Sequence, residues 1–206
     1  MSLSLLAVFI PTFFFVSFTP GMCMTLSLSL GMTIGVRRTF WMMYGELLGV
    51  GLVASASVVG VAAVMLRFPA LFAVVKLLGG AYLGYLGVQL WISRGRMALD
   101  LEAGRKINTS PGNLALQGFV TAVANPKGWA FFIALLPPFI SEQRPLLPQL
   151  ALLLAIILTL EFLCLILYAG GGRTLSRILQ CKGSVRLLNR VAGTLMLGIG
   201  VWLAAG

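Results

Sequence analysis

Apolar residues run along this chain in long unbroken blocks, with neither the one-sided spacing of a soluble amphipathic helix nor the alternation of a half-buried strand. Blocks with few charges cover residues 5–28, 40–65, 69–92, 114–139, 146–169 and 187–205. Each is near the roughly 20 residues that an α-helix needs to cross about 30 Å of hydrocarbon. The pattern therefore predicts an all-α polytopic membrane protein with six transmembrane helices. Composition agrees, because 59% of residues are hydrophobic and only 10% charged, against about a quarter charged in soluble domains. No segment between blocks is long enough to build a soluble core, so residues 1–206 read as a single domain.

Charge then orients the blocks. Fifteen basic residues against five acidic ones would suggest a nucleic-acid partner in a soluble chain, but the positions of the charges argue against it. Arg37 and Arg38 follow the first block, Arg94, Arg96, Arg105 and Lys106 the third, and Arg173, Arg177, Lys182 and Arg186 the fifth. The alternate connections carry only Arg67, or Arg144 with Glu142. By the positive-inside rule the first set of loops is cytoplasmic, which puts both termini outside the cytoplasm. The N-terminal block has no preceding Lys or Arg and is interrupted by Pro11 and Pro20, so it reads as a first span rather than a cleaved signal. Cys23, Cys164 and Cys181 form neither a close pair nor a metal-ligand spacing, and no cofactor or metal is expected.

The polar stretch 93–113 divides the chain into a first half, 1–92, and a second half, 114–206. Three spans per half make the second half enter the membrane inverted, as in transporters built from repeats. An offset of 106 residues lays Pro20 on Pro126, and one of 114 lays Gly79 on Gly193 and Leu83 on Leu197. Gly45 with Gly49 and Gly80 with Gly84 have the spacing that lets helices approach closely. That spacing fits packing within one subunit as well as a homodimer. Residues 174–181, after Arg173, read as a short amphipathic helix on the cytoplasmic surface.

Two polar interruptions carry the chemistry. Thr19-Pro20-Gly21 breaks the first span and Asn125-Pro126-Lys127-Gly128 breaks the fourth. Proline donates no backbone hydrogen bond, so Pro20 should free the Val16 carbonyl and Pro126 that of Ala122. At membrane depth such groups are tolerated only against protein or a wet cavity. Half-helix N-termini offer N–H groups to a carboxylate, and freed carbonyls suit an ammonium. A free amino acid carries both groups. Glu46 and Glu161 add two acids inside apolar blocks, where a charge costs about 2.5–3.5 kcal/mol on insertion scales. With histidine absent, any side-chain proton relay rests on these two. They read either as proton-coupling groups or as ion-pair partners of Lys127 that fix helix positions.

With these residues assembled, the chain resembles the LysE/RhtB family of bacterial amino-acid exporters. The likeness lies in Thr19-Pro20-Gly21-Met22, in Gly45-Glu46, in the run from Leu77 to Gly87, in Gly118-Phe119 followed by Asn125-Pro126-Lys127, in Glu161, and in Leu188-Asn189-Arg190 with Gly193. Met22 stands where the family has a second proline, and both acids are Glu where Asp is frequent. The resemblance implies efflux of amino acids or derivatives such as homoserine, threonine, leucine or homoserine lactone across the bacterial cytoplasmic membrane, driven by the proton-motive force. No enzymatic activity is expected. Two further readings stay open: a membrane thiol carrier, suggested by Cys23 near Pro20, and a passive channel for small zwitterions.

Overall fold

The two proline breaks organise the fold. The computed structural model describes residues 3–92, 110–136, 139–141, 143–180 and 182–205. Among these there is no strand, and eight helices follow one another: α1 (Leu3–Phe18), α2 (Met22–Ile34), α3 (Val36–Arg67), α4 (Pro69–Ile92), α5 (Pro111–Val123), α6 (Pro126–Leu135), α7 (Leu146–Gln180) and α8 (Lys182–Ala205). Most of the predicted linker (93–109), Glu142 and Cys181 lie outside the described residues.

Two segments, Val36–Val61 in α3 and Leu146–Gly172 in α7, are each long and apolar enough to cross a membrane. The pair α1 and α2 passes the same test as one span bent by 57° at its break. The protein is a helical membrane protein.

Element ends differ from the expected ones for local reasons. The first block was expected to end at 28, yet α2 continues to Ile34 and turns at Gly35, whose φ of 82° suits glycine. Thr25, Ser27 and Thr33 stay helical because their hydroxyls find carbonyls: Thr25 Oγ1 donates to the Gly21 carbonyl at 2.8 Å, Thr33 Oγ1 to that of Ser29 at 2.9 Å, and Ser27 Oγ to that of Leu165 at 2.8 Å. The segment expected as a separate surface helix after Arg173 continues α7 beyond a kink at Gly172, φ 44°.

Packing follows the small residues. A Cβ on Gly45 would run into the Ala115 carbonyl, and one on Gly118 into that of Met42, while Gly49 faces Phe119 and Ala122. Backbones of α3 and α5 therefore touch, side by side and parallel. Gly31 meets Ala169 and Ser27 meets Leu165, so α2 lies parallel to α7. Gly87 meets Gly193, Gly80 and Gly84 meet Gly200, and Trp91 Nε1 donates to Thr194 Oγ1 at 3.0 Å, so α4 and α8 run antiparallel. The glycine spacings noted in the sequence thus serve contacts within the chain.

The apolar interior is split into two clusters. One holds Phe9, Phe13, Val53, Val58, Leu135, Leu153 and Ile157. The other holds Met24, Leu28, Met42, Met43, Leu114, Leu165 and Tyr168. Along α3 the change from one cluster to the other falls around Glu46, and along α7 around Glu161. From α1 to α2 it falls at the proline break. A polar layer therefore separates two apolar ones.

Candidate functional site

That layer encloses a cavity of about 70 Å³. Thr19, Gly21, Asn125, Lys127, Gly128, Glu46 and Glu161 all line it, so seven of the nine residues singled out in the sequence converge. Pro20 and Pro126 do not line it. They set the breaks that admit the others.

The first break is locally satisfied on one side and open on the other. Thr19 keeps its backbone N–H and its Oγ1 on the Phe15 carbonyl, at 3.0 and 2.7 Å. The Phe18 carbonyl accepts from the Tyr168 hydroxyl at 2.7 Å. The Val16 carbonyl, which Pro20 deprives of its helical donor, accepts from Lys127 Nζ at 3.5 Å. At the start of α2, Gly21 provides no side-chain cap. Helical bonding begins only with the Thr25 N–H on the Gly21 carbonyl, 2.9 Å.

The second break is closed more tightly. Asn125 Oδ1 accepts from the Lys127 N–H at 3.1 Å and caps α6. The Ala122 carbonyl, which Pro126 deprives of its helical donor, takes the Asn125 N–H at 3.2 Å in a tightened last turn. Trp129 Nε1 donates to the Val123 carbonyl at 2.8 Å. Asn125 Nδ2 points to Cys23 Sγ at 4.0 Å, tying the two breaks together.

Among the described residues no salt bridge closes between these charged groups, although Lys127 and Glu161 lie within electrostatic reach of each other. Lys127, expected as an ion-pair partner of an acid, spends its one described hydrogen bond on Val16. Glu46 is fully buried, and neither carboxyl oxygen has a hydrogen-bond partner. Glu161 lies beside it, near Ser17 and within electrostatic reach of Lys127. An isolated buried carboxylate is costly, so the site is chemically incomplete as it stands. Its remaining lining includes Phe13, Val50, Val53, Phe131 and Phe132. Nothing in the sequence distinguished these from ordinary core residues, because only the break brings them beside charges.

Fold and site together define a helical membrane protein with a chamber of mixed charged and apolar lining between two interrupted helices. Residues 14–206 match the family described as LysE type translocator. The chain belongs to that family, which makes it a transporter rather than an enzyme by kinship. It is 27% identical over 189 residues to the homoserine/homoserine lactone efflux protein of Salmonella typhimurium, covering 92% of this chain and 90% of the relative. It is 27% identical over 195 residues to the leucine efflux protein of an Enterobacter species, covering 93% and 91%. An uncharacterized membrane protein of Vibrio cholerae is 26% identical over 188 residues, covering 91% and 90%. No solved structure matches.

Proposed function

We propose that the protein is a secondary active exporter that carries amino acids or amino-acid derivatives out of the bacterial cytoplasm in exchange for protons. The observation that carries this reading is the site itself: Glu46 with no donor on either oxygen, Lys127 and an uncapped helix end all line one cavity between two broken helices. A zwitterion supplies the missing charges of both signs. Kinship to the efflux proteins of Salmonella and Enterobacter supports export and the amino-acid class.

Six spans in two inverted halves, 1–92 and 114–206 joined by the cytoplasmic linker 93–113, complete the proposal. The antiparallel contact of α4 with α8 supports it, since the third and sixth spans of such an array run in opposite directions. So do the parallel contacts of α3 with α5 and of α2 with α7. Both termini lie in the periplasm, and one half rocks on the other to expose the cavity to each side in turn. Because the cavity holds about 70 Å³, well below the roughly 300 Å³ of common ligand pockets, it must widen to take a substrate. Glu161, beside Glu46, carries the coupled proton.

The test is uptake into proteoliposomes. With an imposed pH gradient, a panel of L-homoserine, L-threonine, L-leucine and homoserine lactone should include a substrate that accumulates above equilibrium. Accumulation of none of them, or only downhill equilibration, rejects the exporter.

A further inference from the structure

The chamber is lined by charged and by apolar side chains, and among the latter Phe13, Phe131 and Phe132 stand against one another. The N-terminus of α2, a helix of 13 residues, has no side-chain cap, and its Met22, Cys23 and Met24 line the cavity. Their N–H groups precede the first helical hydrogen bond, that of Thr25, so they are available to an anion. The N-terminus of α6, by contrast, is already occupied by Asn125. A Cβ built on Gly21 would sit 4.0 Å from Lys127 Nζ, so the ammonium stands next to the open end of α2. Dipole and cation therefore act on one spot.

Glu46 supplies the complementary requirement. Neither of its buried oxygens meets a donor in hydrogen-bond geometry, and it lies against Glu161 and against Cys23, the second residue of α2. An ammonium close to a carboxylate seated at α2 would meet it. Glu161 also lines the chamber, within electrostatic reach of Lys127, whereas Phe13, Val50, Phe131 and Phe132 offer no polar side-chain atom, and a second charge pressed against them would be unpaired.

We propose that the cavity seats one zwitterion in one orientation: ammonium on Glu46, carboxylate on the open N-terminus of α2 beside Lys127, and an uncharged aliphatic side chain among Phe13, Val50, Phe131 and Phe132. The proposal deepens the exporter reading and rests on it. It requires a free carboxylate, so lactones, esters and amides are poor ligands, and it disfavours diamino acids.

Competition in exchange tests it. Full-length protein is reconstituted into vesicles preloaded with L-leucine, and entry of labelled L-leucine is competed with unlabelled L-leucine, L-leucinamide, 4-methylpentanoate and L-lysine. Unlabelled L-leucine should compete at least about 10-fold better than each of the other three, the order expected when a hydrogen-bonded charge is lost. In the exchange that Lys127→Met retains, the preference for leucine over leucinamide should fall below about 3-fold. Leucinamide competing equally in the unaltered protein overturns the carboxylate seat, and L-lysine competing equally overturns the apolar one. If Lys127→Met does not insert, the competition with the unaltered protein decides alone. Exchange without discrimination sinks the orientation and leaves the exporter standing; no exchange with L-leucine, L-homoserine or L-threonine sinks both.

Discussion

The ammonium of Lys127 donates to the carbonyl of Val16 across 3.5 Å, joining the break in the second half of the chain to the break in the first. Proline at position 20 removes the helical donor for that carbonyl, and the second break brings in the cation that replaces it. A single long hydrogen bond leaves most of the valence of the ammonium unspent. Lys127→Met should therefore lower transport at least about 10-fold, the cost of one charge-assisted hydrogen bond in transition or binding, while the unfolding temperature falls only modestly, as one long hydrogen bond to Val16 is lost. Proteoliposome uptake beside a thermal unfolding scan checks both halves; transport at the unaltered rate would make Lys127 purely structural.

Glu161 sits beside Glu46, close to Ser17 and facing Lys127. In the proposed cycle it carries the proton, whereas Glu46 meets the substrate. Glu161→Gln should abolish accumulation driven by a pH gradient yet keep substrate-for-substrate exchange measurable. A variant that still concentrates substrate against a gradient would clear Glu161 of coupling.

Close backbone approach between α3 and α5 is the fold's least forgiving contact. A side chain at Gly118 would meet the Met42 carbonyl and the Glu46 backbone. Gly118→Val should cost at least about 1–3 kcal/mol through overpacking, seen as a lower unfolding temperature in detergent. Gly60, around which a Cβ would meet open space, should accept Ala with unchanged or slightly raised stability, about 0.5–1 kcal/mol at most. Equal behaviour of the two variants would contradict the packing described.

Tyr168 anchors the first break by donating to the Phe18 carbonyl at 2.7 Å. Phenylalanine there keeps the ring and its edge contact with Phe18, 5.3 Å between centroids, and removes only the hydroxyl. Tyr168→Phe should destabilise by about 1–3 kcal/mol, because a carbonyl is left unsatisfied in a buried setting. Chemical denaturation in mixed micelles would measure it, and no change would mean that the break holds itself.

How much of this was legible in the sequence divides along a physical line. The breaks were visible because proline's missing donor is a property of one residue and its neighbour one turn away. The acids and Lys127 were visible because charge in an apolar block is locally anomalous. The Ala122 carbonyl does lose its helical donor to Pro126, and the Asn125 backbone N–H, in a tightened last turn, takes that donor's place. The pairing of Lys127 with Val16 in place of a carboxylate was beyond reach, because it depends on where two halves dock. The first block stopped at 28 while α2 runs to Ile34, and sequence does not reveal that carbonyls of the same or a neighbouring helix satisfy the Ser27 and Thr33 hydroxyls. The apolar wall of Phe13, Val50, Phe131 and Phe132 had no sequence signal at all.

The account turns on a substrate-accessible chamber at the meeting of the two breaks, and Cys23 is its native reporter, buried here between Glu46 and Asn125. With Cys164 and Cys181 replaced by Ala, the rate at which a charged, membrane-impermeant methanethiosulfonate modifies Cys23 in proteoliposomes can be followed. Modification should proceed as the protein cycles, block transport, and slow at least about threefold when a transported amino acid is present. A thiol that never reacts while transport continues, or reacts at one rate with and without every transported substrate, would contradict the chamber.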